Sequence, residues 1–118
     1  MALIYQEIPM FNEDKITEIL QYGSNEDKSE LVLSLSLYQY DIKKTESIIK
    51  LFLTGTNEDM ARVALVALGH VIRLNGHHVD IEKWITIFKS LPSKNKLQGQ
   101  FDEVLEDYEI FVKRKQPA

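Results

Sequence analysis

Two sets of side chains in this 118-residue sequence are of types that do chemistry: the histidines His70, His77 and His78, and the late carboxylates Asp102, Glu103, Glu106 and Asp107. Neutral imidazole is a common metal ligand, so the histidines raise a metal site first. Their spacing speaks against one. His77 and His78 are neighbours in a loop and do not easily turn to one ion. His70 stands seven residues before His77 on an apolar helical stretch, and no carboxylate pair nearby completes a ligand set. The reading left is that His70 packs at a helix junction while His77 and His78 are solvated. No metal and no cofactor is expected. The sequence also lacks a GxSxG elbow, a P-loop, a dinucleotide-binding glycine fingerprint and an HExxH helix. An enzyme is not expected, although the eighteen acidic residues leave open a carboxylate pair for general acid–base work.

The carboxylates carry a different chemistry. Asp102 and Glu106, like Glu103 and Asp107, are four residues apart, so on a helix like charges face each other at a cost of about 0.2–0.5 kcal/mol per pair. The functional reading is an acidic strip aimed at a basic partner. Tyr108 on the same helix and Tyr38 and Tyr40 further back are aromatic interface candidates, each a rigid ring with one polar tip. A solvated helix face whose charge aids solubility has the same pattern, and most tyrosines so placed only pack. The candidate partner-binding residues are therefore Asp102, Glu103, Glu106, Asp107, Tyr108 and Tyr38.

Composition narrows the partner. Eighteen acidic against fourteen basic residues give a net charge of -4 and a pI near 5.3, which disfavours nucleic acid and favours a basic protein. With 44% hydrophobic and 27% charged residues the chain is too apolar for intrinsic disorder and too charged for a membrane protein. No apolar run approaches the ~18 residues that span a bilayer. The first residues, Met1 to Glu7, lack the basic region and apolar stretch of a signal peptide, so the expected compartment is the cytoplasm. The absence of cysteine excludes disulfides, thiolate metal sites and a cysteine nucleophile. The length suits one domain, residues 1–118.

Six helices must position these residues, and no segment favours a strand. Asn12, Asn25, Asp41, Asn57 and Asp80 each precede an apolar helical pattern and are expected as caps, with Ser93 or Asn95 opening the sixth helix. Gly23, Gly55 and Gly76 stand where patterns stop, and Pro92 stops the fifth. The second helix is expected to run to about Gln39, and the sixth to end in Lys113, Arg114 and Lys115. The alternation of Leu31-Val32-Leu33-Ser34-Leu35-Ser36-Leu37 is the one place to argue a strand, but its capped start and length favour a helix. Met60 through Leu74 is the most apolar stretch and is expected to be the central helix.

An internal repeat runs through these helices. Gly23-Ser24-Asn25-Glu26-Asp27 lies over Gly55-Thr56-Asn57-Glu58-Asp59 at an offset of 32, and Asp41-Ile42-Lys43-Lys44 over Asp80-Ile81-Glu82-Lys83 at an offset of 39. A third, weaker copy places Phe101 to Asp107 over Ala64 to His70. Helix pairs at such periods fall in the solenoid class. The string Ala64-Leu65-Val66-Ala67-Leu68-Gly69-His70, continuing to Asn75-Gly76, resembles the alanine-leucine-glycine core of HEAT-like repeats. Together with Leu31 to Tyr38 and Gly99 to Asp107, it is similar to small bacterial HEAT-like proteins, some of which resemble immunity proteins of contact-dependent growth inhibition systems. The resemblance implies an all-α, six-helix HEAT-like α-solenoid of three helix-pair repeats, approximately residues 12–39, 41–75 and 80–115. It further implies a cognate toxin as partner, a nuclease of ribonuclease A-like type whose active site the protein occludes. The alternative is a HEAT-like adaptor or scaffold that makes other protein contacts.

Overall fold

Short polar side chains ahead of apolar runs start the helices, because their oxygens accept the first unpaired backbone N–H groups. The computed structural model describes residues 12–38 and 41–113, and among them it holds six α-helices and no strand. Asn12 caps α1 (Glu13–Tyr22), accepting the Lys15 N–H at 2.8 Å. Asp41, Asn57 and Asp80 likewise cap α3 (Ile42–Leu53), α4 (Glu58–Asn75) and α5 (Ile81–Lys89), accepting the third N–H onward at 3.1 to 3.2 Å. Ser93 takes the cap position of α6 (Lys94–Tyr108), without a side-chain bond. Glu109–Lys113 continues α6 as a π-helical turn. Gln39, Tyr40, Arg114 and Lys115 lie outside the described residues, as does the chain before Asn12.

One expected cap is corrected. For α2 (Asn25–Tyr38), Ser24 holds the cap position and Asn25 is the first helical residue. Ser24 Oγ accepts the Asp27 N–H at 3.0 Å, and Asp27 Oδ2 accepts the Ser24 N–H at 3.2 Å. Such a reciprocal box needs an acceptor three residues past the cap, and Lys28, three past Asn25, has none to offer. Ser24 therefore corresponds to Asn57, and the cap-to-cap offset is 33 where sequence matching gives 32. The Leu31–Leu37 stretch is helical, and the buried Ser36 hydroxyl is satisfied by donating to the Leu33 carbonyl at 2.7 Å.

Helix α4 is the hub and packs against α2, α3 and α6. Ala61, Ala64 and Ala67 alternate with Leu65, Leu68, Val71 and Ile72, all buried, so small residues admit the neighbouring helices while large ones fill the space between. Polar contacts fix the helix directions. Ser29 near the start of α2 lies 3.4 Å from Met60 near the start of α4, and Lys96 near the start of α6 lies 3.7 Å from Glu58. At the far ends Arg73 meets Asp107 at 3.4 Å. Helices α4 and α6 therefore run in the same sense, and α2 begins beside the start of α4. Lys44 to Glu13 joins the first turns of α3 and α1, and Glu46 to Trp84 joins α3 to α5.

Two contacts lock the later helices. Trp84 is wholly buried, and its Nε1–H donates to Glu46 Oε2 at 3.1 Å, while the Lys83 ammonium lies 5.3 Å from the indole centroid. The Phe88 and Phe101 rings stack with centroids 4.1 Å apart, joining α5 to α6. Gly76 closes α4 with φ -55°, not in the left-handed region, so close approach rather than backbone freedom requires glycine there. A Cβ would fall 2.2 Å from Cγ2 of the buried Val112, which the π-helical turn brings against it.

Candidate protein-docking face

The exposed side of α4 follows from helical spacing. Arg62, Val66, Gly69 and Arg73 recur every three or four residues and share one face. Val66 is 46% exposed in the middle of the central helix. On α6, Lys96, Gln100, Glu103 and Asp107 recur in the same way. Since the two helices run side by side in one sense, these stripes face each other across a groove of about 170 Å³, floored by the buried Leu65 and Val104. Gly69 keeps the groove open: a Cβ there would lie 2.9 Å from Asp107 Oδ2 and 3.3 Å from Arg73 Nη2.

Charges on this face divide into held and unheld groups. Arg62 reaches Glu58 at 2.8 Å and Asp59 at 3.6 Å, Lys96 reaches Glu58 at 3.7 Å, and Arg73 reaches Asp107 at 3.4 Å. Among the described residues Glu103 and Glu106 have no cationic partner, and neither have Glu26 and Glu30 on the exposed side of α2. Arg62, Arg73 and Lys96 are thus each held by a carboxylate, whereas Glu103 and Glu106 are held by no cation among the described residues. Leu37, 42% exposed at the end of α2, adds a second uncovered apolar side chain.

The sequence-derived residues do not form one strip. Asp102 and Glu106 are both exposed, Asp102 accepting from Gln98 Nε2 at 2.8 Å. Glu103 and Asp107 turn to the groove, where Arg73 offsets the charge of Asp107. Tyr108 is half-buried and lines a different hollow, with Val79, Ile81 and Ile85, against α5. Tyr38 sits at the end of α2, 48% exposed. The structure therefore brings Glu103 and Asp107 together and separates Tyr108 and Tyr38 from them. Sequence reasoning passes over Val66, Gly69, Arg73 and Gln100. A signal for them exists: Arg62 and Arg73 flank Val66 on one helical stripe, which marks that stripe as solvated.

The histidines do not converge. His77 and His78 are exposed in a single 3₁₀ turn, and His70 is half-buried on α4. No group of three or more His, Asp or Glu side chains placed to hold a metal occurs among the described residues. Burial holds the His70 pKa below its ordinary 6.5, the Arg73 charge lowers it further, and Asp107 opposes both. No helix among the described residues is long and apolar enough to cross a membrane. The chain matches no family model, no curated protein and no solved structure.

Proposed function

We propose that this protein is a HEAT-like immunity protein that binds a basic toxin domain, a nuclease of ribonuclease A-like type, and neutralises it by covering its active site. The observation that carries the basic-partner reading is the exposed side of α2, α4 and α6, which holds the unheld carboxylates Glu26, Glu30, Glu103 and Glu106 together with the uncovered Val66 and Leu37. The same-sense run of α4 and α6, with α2 beginning beside α4 and each of the three following a shorter helix, supports three stacked helix pairs and hence the solenoid. An RNA-cleaving site concentrates lysine, arginine and histidine to hold phosphates, and a carboxylate-rich face attracts that surface before contact. Apolar side chains at the centre then exclude water and slow dissociation. The protein contributes no chemistry of its own and acts in the cytoplasm by occupying the site.

Co-expression with the product of the gene immediately upstream tests this. The expected result is survival that depends on this chain and a tight 1:1 complex on purification. A neighbour that is harmless alone, or that does not bind, replaces the immunity reading with that of an adaptor. Within a complex, Glu103→Lys with Glu106→Lys is expected to weaken binding at least about tenfold, chiefly through slower association at low salt. Both side chains are exposed, so the fold survives the change, and unaltered binding would remove the acidic side of α6 from the interface.

A further inference from the structure

We infer that the α4–α6 groove is an anchor site for one arginine side chain of the protein partner. This rests on the reading that the partner is basic and specifies what the groove takes from it. Glu103 and Asp107 against Arg73 leave one surplus negative charge, which a single incoming cation brings to neutrality. Arg73 approaches Asp107 through Nε at Oδ2, 3.4 Å away, so Oδ1 of Asp107 has acceptor capacity left. Glu103 and Gln100 line the same groove, and neither side chain has a hydrogen-bond partner among the described residues, so the Glu103 carboxylate and the Gln100 amide oxygen, once the amide is turned inward, are free to accept. Three acceptors around one hollow match the flat, five-donor guanidinium, which pairs with carboxylates in a two-pronged fashion that an ammonium cannot copy. Leu65, Val66 and Val104 offer apolar surface to the methylene stem of such a side chain. Gly69 supplies the room, because any side chain at that position enters the groove and crowds Asp107.

The test uses the full chain, isotope-labelled for NMR, and three probes: the capped tripeptide Gly-Arg-Gly, its citrulline analogue of equal shape without charge, and Gly-Lys-Gly. The arginine peptide is expected to shift the backbone amides of Val66, Gly69, Gln100 and Glu103 saturably, with a dissociation constant on the order of millimolar. The citrulline and lysine peptides bind about tenfold more weakly, as does the arginine peptide to Glu103→Gln. Gly69→Ala abolishes the shifts. Glu106→Gln, one turn away and outside the groove, leaves them unchanged. Shifts centred elsewhere, equal binding of the citrulline or lysine peptide, or an equal loss in Glu106→Gln each overturn the assignment. Peptide binding without a co-purifying toxin overturns the toxin reading alone, and a toxin complex with no arginine site in the groove overturns the anchor alone.

Discussion

Glu46 on α3 and Asp107 on α6 both reach across to a neighbouring helix, but their partners and solvent differ. Glu46 accepts from the indole of Trp84, a neutral donor on a rigid and wholly buried ring. Asp107 meets the flexible guanidinium of Arg73, which is 40% exposed. In the first bridge water cannot take over if either partner leaves, so the contact belongs to the fold. In the second, water or an incoming cation can replace either partner at little cost, so the contact belongs to the surface. Polar bridges of this kind therefore divide by how readily solvent substitutes for the partner rather than by distance. The further Lys83–Glu46 approach, at 4.0 Å with the lysine 47% exposed, adds little to the buried bridge.

Four measurements would break or sharpen that contrast. Trp84→Ala is expected to cost about 3–5 kcal/mol in a urea titration followed by far-ultraviolet circular dichroism, since Trp84 is the only tryptophan and its own fluorescence is lost. A loss below about 1 kcal/mol would show that α3 and α5 do not depend on this contact. Glu46→Ala leaves the buried indole N–H without its acceptor and should cost about 1–3 kcal/mol by the same titration. For Asp107→Asn the expected loss is under about 1 kcal/mol, because Arg73 is already well solvated; a larger loss would move this bridge into the structural class.

The smallest effect is a pH dependence centred on His70. Its folded pKa lies below 6.5, mainly through burial, so the unfolded chain binds the proton more tightly. Stability contributed by the neutral imidazole is complete above 6.5 and is lost as pH falls through 6.5 towards the folded value. Thermal melts between neutral pH and about pH 5 should therefore show a steeper loss for the native protein than for His70→Gln. Parallel curves would mean that His70 is equally solvated in both states.

Helix positions are legible in the sequence because capping is local. Asn12, Asp41, Asn57 and Asp80 need only an N–H three residues away, which the helix supplies wherever it forms. Ser24 and Asn25 rank as equal caps, and only the reciprocal partner Asp27 breaks the tie; the spacing carries that information, but residue preference alone does not. The surroundings of the acidic residues are not legible in this way, for a different reason. Spacing of four residues places Glu103 above Asp107 on one helix, but the groove exists because Arg73 and Gly69 arrive from another. Tyr108, on the same helix, lines a different hollow against α5, which spacing along α6 does not show.

The sequence by itself determined the six helices of the described residues, the starts of all but α2, the central place of α4 and the surplus of carboxylates, since these depend on neighbours within a turn or two and on composition. Only the tertiary structure decided which carboxylates are held, which apolar side chains stay uncovered and where a groove opens. Those outcomes depend on groups more than thirty residues apart, such as Arg73 and Asp107, brought within 3.4 Å by helix packing that no periodicity along one helix encodes.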